Sequence, residues 1–572
     1  MKLNLDSAKK GNWNCRREGK VNVARQTCRY LGVVRNALDD LVLNCGGIQR
    51  INITLTASEH PDPGNTMKPP HRSAPRVRPS FALMLVSPPH RAILAALVFL
   101  ISVSVSTPNR LSAADSTDRV FRAGAFAIDI TPEKFPVSSS GSMTHRMADQ
   151  AHDRLRARCL VLDNGETRIA LVTCDSCMVP REIYDAAKQA ASKATGIPTD
   201  HILCSATHTH TAVSVAPTFQ SLVEHDYIEF LTSRIAEGII QAHAQLEPAR
   251  IGWAIGNNPR QVFNRRWYLR PGIAIDDPFD SGTDRVRMNP SANSPSLLQP
   301  AGPVDPDVPV LAVQSLDGRP IALWANYSLH YVGGVPAASL SADYFGEFAR
   351  QFTRMIDAGD NSPPFVAAMT NGTSGDINNI NFFEGSAHQQ PFEQIRLVAN
   401  DVAASATVAY QRIAYEDWVP MAMQETEIEL GVRHPDADEI ARAKRLIAEV
   451  GPGPWNDRRL IYASETLDLI EYPPTVKAKL QAIRIGGLAI VTTPCETFVE
   501  TGLAIKANSP FRPTFTIELA NGYNGYLPTP QQHALGGYET WRAKSSYLAV
   551  DAEPKVRAEL LRLLNGLASE TP

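Results

Sequence analysis

From residue 121 onward, short blocks of apolar and polar residues with strand-like alternation are separated by stretches with helical spacing. FRAGAFAIDITPE reads as a strand ending in a Thr-Pro turn, and LRARCLVLDNGETRIALVTCD as two β-rich runs joined at Asp163-Asn164-Gly165. A helix is expected from about Pro180 to Thr195, with proline at its start, Ile183, Ala187 and Ala191 on one face, and Gly196 as its stop. HILCSAT then reads as a strand, followed by a long helix near 225–246 and a strand near Ile251. Residues 257–306 are rich in Asn, Pro, Arg and Ser with little periodicity, and are expected to form a long functional loop. Strands resume at VPVLAVQSL and PIALWANYSLHYV, and helices near 345–356 and 392–412 flank the strand PFVAAMTN. A strand from 421, a polar helix over 436–450, the paired strands VKAKLQAIRIGGLAIVTTP, the run FTIEL and a helix near 553–567 follow. The pattern implies an α/β (mixed α+β) fold: a single large domain over 115–572, its mixed β-sheet flanked by helices and its functional residues at strand ends.

The first 114 residues break this pattern. His90 and Arg91 form a basic flank, Ala92 to Val105 an apolar stretch and Ser112-Ala113-Ala114 a small-residue cleavage site, so 84–114 reads as a secretory signal peptide. Its apolar stretch is short for a membrane span. A secreted or periplasmic protein is expected. Residues 1–83 have no sustained periodicity and hold 14 Lys+Arg against 6 Asp+Glu, and read as an over-extended gene start or a disordered segment, with translation beginning at Met67 or Met84.

Charge and cysteine usage narrow the partners. Residues 1–114 hold 16 basic and 6 acidic residues; the remainder carries 40 Lys+Arg against 53 Asp+Glu, a net of −13, which argues against nucleic acid. Cys159, Cys174, Cys177, Cys204 and Cys495 are an odd set lying mostly in apolar runs, and read as buried free thiols rather than a disulfide framework. Cys174 and Cys177 have CxxC spacing but no second pair to complete a zinc knuckle.

The chemistry concentrates in CSATHTHTAV. If this stretch is extended, His208 and His210 share one face and Thr207, Thr209 and Thr211 the other. Such a pair can bind a metal, move a proton or fill a core. Other polar residues also end apolar strands: His330 after IALWANYSL, Glu496 after AIVTTPC, and Tyr526 in NGYNGY. Imidazole, carboxylate and phenolate donors without a thiolate suit zinc.

The order SATHTHT, ALWANYSLH, NGTSGDINN, IRIGGLAIVTTPCE, NGYNGY and GGYE resembles the neutral/alkaline, non-lysosomal ceramidase family, zinc amidases that cleave the amide of ceramide. AGAFAIDITP and the hairpin after it are similar too. The resemblance implies Zn²⁺ held by His208, His330, Glu496 and Tyr526, with His210 as the acid/base residue beside the metal. It implies a substrate-contacting role for Tyr538 in GGYE and for Arg265 in VFNRR, where Arg266 and Trp267 replace the family's Ser-Pro and leave the register open by one residue. It implies an amide substrate, small or lipid-like, and leaves room for peripheral membrane contact; the oligomeric state stays open.

Two departures alter the expectation. The family's essential serine falls at Asn378, within Gly375-Asp376-Ile377-Asn378-Asn379, and an amide cannot form an acyl-enzyme through a hydroxyl. A route without serine is expected instead: zinc brings the pKa of a bound water to about 7, His210 shuttles the proton, Arg265 or Tyr538 binds the oxyanion, and Asn378 orients substrate or water. The sequence also ends about 46 residues after Tyr526, so the family's immunoglobulin-like module is expected to be absent. The sequence thus supports a secreted zinc hydrolase first. A non-catalytic zinc- or ligand-binding relative comes second, and a structural protein whose histidines only pack comes third.

Overall fold

The computed structural model describes residues 119–385 and 389–569. The expectations for 1–83 and 84–114 lie outside them. Eight strands form the larger sheet: β1 (Arg122–Asp129), β2 (Arg156–Asp163), β3 (Arg168–Cys174), β4 (Ile202–Ala206), β5 (Glu247–Asn257), β6 (Asp307–Ser315), β7 (Pro320–Tyr327) and β8 (Val366–Asn371), in the order β8-β7-β6-β5-β1-β2-β3-β4. Four more, β9 (Met421–Gly431), β10 (Thr475–Ile485), β11 (Leu488–Thr492) and β12 (Thr514–Ile517), form a second sheet in sequence order.

Most neighbours are antiparallel. Within these two sheets the parallel pairs are β3/β4, β7/β8 and β11/β12. Each is joined by a crossover helix, because parallel neighbours cannot be linked by a tight turn. These helices are α1 (Arg181–Thr195), α3 (Asp343–Met355) and α7 (Val499–Asn508). Helix α1 begins after Pro180 and stops at Gly196, whose left-handed φ of 73° lets its N–H reach Ser192 O. It buries Ile183, Tyr184, Ala187 and Ala191. The other long helices are α2 (His225–Ala244), α4 (Glu393–Tyr410), α5 (Ala437–Val450), α6 (Arg458–Asp468) and α8 (Ala552–Ser569).

The fold is mixed α/β, and the two sheets pack face to face. Leu160, Ile169, Leu171, Ile321, Trp324 and Val366 of the large sheet meet Met421, Ile483, Ile490 and Phe515 of the small one in one apolar core. Helices α1 and α2 cover one half of the large sheet's other face, and α3 and α4 the other half. Helix α8 covers the back of the small sheet. Alternation along strands gives both sheets two faces to bury, so the large sheet has helices on one side and a sheet on the other.

The chain leaving β12 bonds to both edges of the large sheet. Glu518 N–H donates to Asn371 O (3.1 Å) at the end of β8. Ala206 N–H donates to Leu519 O (3.1 Å), and Asn521 N–H to Cys204 O (2.7 Å), along β4. The carboxyl ends of β4, β7, β8 and β11 are thereby gathered around one place. Residues 257–306 are more ordered than their composition implies: Arg266–Leu269, Val286–Met288 and Leu297–Pro300 form a small sheet, and Phe263–Asn264 pairs with Ile377–Asn378. All five described cysteines are free and buried.

Candidate metal centre

His208 lies two residues beyond β4, His330 three beyond β7, and Glu496 four beyond β11. Each sits just past the carboxyl end of a strand in a parallel pair, where α/β sheets commonly form ligand crevices. His208 does not reach its place by strand alternation. The strand ends at Ala206, and His208 has a left-handed φ of 73°, held by its N–H on Ser176 O (2.8 Å). A non-glycine residue in that region is strained by about 1–3 kcal/mol and marks a position fixed by its surroundings. The two histidines therefore converge by a turn, with ring planes at 89° and Nε2 atoms 3.1 Å apart.

Three atoms meet here, with His210 Nε2 beside the first. His208 Nε2 is 3.0 Å from His330 Nε2 and 3.2 Å from Glu496 Oε2, and His330 Nε2 is 3.7 Å from the same oxygen. The opposite nitrogen of every imidazole faces a backbone carbonyl. His208 Nδ1 donates to Cys177 O (2.7 Å), His210 Nδ1 to Gly141 O (3.0 Å) and His330 Nδ1 to Ser374 O (3.1 Å). A carbonyl accepts only, so each Nδ1 holds the proton and each Nε2 presents a lone pair. The His208 lone pair lies about 3 Å from those of both His210 and His330, and such pairs repel unless a cation or a proton lies between them. Glu496 Oε2 is buried without a hydrogen-bond partner, the costly condition for a carboxylate. These donors fit a metal ion, and His208, His330 and Glu496 offer ligand atoms all within 4.8 Å of one another.

The surrounding groups polarise the centre. Burial pushes the His208 pKa down, but the Glu496 carboxylate and Cys177 outweigh it and hold it well above the usual range. Burial, then the charge of His208, drives His210 well below. Burial and Arg265 do the same to His330. Burial raises Glu496, but the charge of His208 and the neighbouring His208, Tyr526 and Arg265 groups prevail and lower it. Tyr523 donates to Glu496 Oε1 at 2.9 Å.

A cavity of about 180 Å³ opens over these atoms, lined also by Met143, Met178, Phe219, Tyr331 and Asn289. Arg265, Tyr526 and Tyr538 are in its wall. Arg265 is buried, donating to Glu539 Oε1 (2.8 Å), Gly375 O (2.7 Å) and the Tyr526 hydroxyl (3.1 Å). Arg266 instead turns away to Glu539 Oε2 (2.6 Å) and Gln532, which settles which of the adjacent arginines faces the cavity. The structure thus brings together seven of the eight residues singled out in the sequence. Asn378 is not among the cavity-lining residues. Its amide nitrogen donates to Asn289 Oδ1 and its oxygen accepts from Ile380 N–H (2.9 Å), and Asn289 faces the cavity in its stead.

Sequence reasoning missed several participants. Tyr331 stacks on His210 with centroids 3.7 Å apart. Gly141, with φ 84°, lies so close that a β-carbon there would be 2.4 Å from His210 Cβ. Tyr523 stood inside NGYNGY, so the motif held a signal for it. Gly141, Cys177 and Ser374 act through main-chain carbonyls, which leave no side-chain signature.

The sequence matches no family model. In fold, the chain is similar to the neutral ceramidase from Pseudomonas aeruginosa, with a TM-score of 0.60 and 18% identity over 80% of this chain and 75% of that one. It is similar also to a ceramidase complexed with C2, with a TM-score of 0.59 and 17% identity over 80% of this chain and 76% of that one. At this identity the likeness is one of fold.

Proposed function

We propose that the chain is a zinc-dependent hydrolase that cleaves an N-acyl (amide) bond of a sphingolipid-like or related substrate. The observation that carries this reading is the approach of the His208 and His330 Nε2 atoms to the unpartnered Glu496 Oε2, with His210 Nε2 beside His208 and each imidazole turned inward by a backbone carbonyl. The ceramidase-like fold supports the same reaction class. His208, His330 and Glu496, with Tyr526 hydrogen-bonded to Glu496, are the residues that would hold the ion. When bound, zinc supplies Lewis acidity at the scissile carbonyl and brings the pKa of water to about 7.

The protein's own groups do the rest. His210 is partly open to the cavity, oriented by Gly141 and Tyr331, and takes the proton from the attacking water. Water adds to the acyl carbon, the C–N bond breaks with its electron pair leaving on nitrogen, and His210 returns the proton to the amine. Arg265 and Tyr538 face the place where charge develops on the carbonyl oxygen. The reaction needs no serine hydroxyl, which accords with asparagine at position 378. The 84–114 segment supports a site of action outside the cytoplasm.

The test is His208→Ala and His210→Ala, each assayed for bound metal and for hydrolysis of N-acyl substrates with and without chelator. His208→Ala is expected to lose both, and His210→Ala to lose turnover while keeping metal. If His210→Ala loses metal as completely, the division of roles fails. Metal-replete protein that turns over no N-acyl substrate would leave the ligand-binding alternative standing.

A further inference from the structure

The cavity over the candidate metal centre adjoins a second chamber of about 220 Å³, and Met143, Met288, Asn289 and Tyr538 line both. Aromatic rings stand along this shared wall. Tyr526 meets Tyr538 edge to face at 5.8 Å, and Tyr538 meets Trp541 in the same way at 5.9 Å. Trp541 is buried and fixed by its Nε1 donating to Asp284 Oδ2 (2.8 Å). The far wall is Arg287, Arg458 and Asp276.

Several arginines around the chamber are paired. Arg459 pairs with Asp457, Arg442 with Asp280, and Arg265 and Arg266 share Glu539. Arg287 and Arg458 form no ion pair among the described residues, and no hydrogen bond from either guanidinium is present there. Arg458 is nonetheless positioned, its guanidinium carbon 5.5 Å over the Trp541 ring, a cation–π arrangement that holds the group without neutralising it. Asp276 is the chamber's one carboxylate and is itself unpaired, so the lining keeps an excess positive charge. Guanidinium groups offer a planar fork of donors that matches a carboxylate.

We propose that this second chamber is a subsite for an anionic group of the substrate, a carboxylate carried on one side of the bond cleaved at the metal centre. The substrate class is then an N-acylated compound with an acidic end rather than an uncharged two-chain lipid. The assignment rests on the hydrolase reading above for the position of the scissile bond. The carboxylate sits between Arg287 and Arg458, the linking atoms run along Tyr538 and Trp541, and the amide lies over the histidines.

The experiment compares N-hexanoyl-8-aminooctanoic acid with its primary carboxamide, which differ only by carboxylate against carboxamide and whose aliphatic spacer can run the length of Tyr538 and Trp541, using the full chain. Equilibrium binding and hydrolysis are measured separately, at low and at high salt. The acid is expected to bind about tenfold more tightly than the amide, the worth of one good charge-assisted contact, with the advantage shrinking as salt rises. In the Arg287→Ala/Arg458→Ala double variant the advantage should vanish, with metal content and thermal midpoint checking the fold. Equal binding of the two ligands overturns the proposal. So does a preference that survives the double variant, which would place the carboxylate on the metal instead. Hydrolysis of both ligands without preference leaves the hydrolase reading intact and removes the subsite; preference without hydrolysis does the reverse.

Discussion

Ser374 Oγ and Glu518 Oε1 share a buried hydrogen bond of 2.7 Å, so this serine, four residues before Asn378, is engaged behind His330 and does not line the cavity. Glu518 Oε2 also accepts from Thr497 N–H (2.7 Å) and Ser374 N–H (3.3 Å). Ser374 O holds His330, and Thr497 follows Glu496. One side chain thus ties together two of the segments that present ligand atoms.

Replacing that side chain should therefore be read out in metal affinity. Burial pushes the Glu518 carboxyl up to about 8, so it is uncharged at neutral pH. Glu518→Gln is also uncharged and keeps an oxygen for the two N–H groups, and is expected to hold metal nearly as the parent does. Glu518→Ala strands both donors and should weaken metal binding by about 10–100-fold, as loss of an outer-shell partner typically does. Competition with a chromophoric chelator measures both; equal affinities would show that Glu518 only packs.

Gly141 controls His210 from the opposite side. Its φ of 84° disfavours a side chain, and a β-carbon would collide with His210. Gly141→Ala is expected to lower hydrolysis by about 100-fold, the effect of a 1 Å displacement of a reacting group, while bound metal remains. A variant that loses metal in proportion to activity would make His210 a ligand.

Restoring the family's hydroxyl should achieve nothing. Position 378 is engaged with Asn289 and Ile380 outside the cavity wall. Asn378→Ser is expected to leave N-acyl hydrolysis within about twofold of the parent, since substitutions that touch no reacting group have small effects. A large gain, or trapping by a serine-directed acylating reagent, would show that the hydroxyl reaches substrate.

A pH dependence follows from Asp343. Burial raises its carboxyl to about 6 although the N–H groups of Gly333, Tyr344 and Val332 lower it. A folded-state pKa raised above the ordinary 3.8 gives stability that is fully present below pH 3.8 and lost as pH rises through 6. The loss is about 3 kcal/mol for a shift of this size. Asp343→Asn, at a φ of 52° that asparagine tolerates, should lack this decline. Unfolding by denaturant at a series of pH values, parent against variant, measures it; parallel curves between pH 4 and 6 would refute the assignment.

The helix and strand order was largely legible because strand alternation and helix stops are local. Pro180 and Gly196 bound α1 as expected, and Asp436 caps α5 in a capping box with Glu439. Helix α6 escaped notice, since RRLIYASETLD shows no clean apolar stripe until Leu460, Ile461, Tyr462 and Ala463 are all found buried against other elements. The packing of one sheet on the other could not be read from alternation, which says that a face is buried but not by what. The convergence of His208 and His210 was anticipated for the wrong reason. Strand geometry suggested a shared face, whereas a left-handed turn at His208 creates it, and only tertiary contacts make that turn affordable.

The three carbonyls that orient the histidines come from positions 141, 177 and 374, and the ligand atoms from 208, 330 and 496. Nothing within one segment can set the tautomers. The oriented trio exists only where the segment beyond β12 joins both edges of the large sheet, so any choice among ions at this centre would belong to the closed fold and not to the His208-Thr209-His210 stretch by itself.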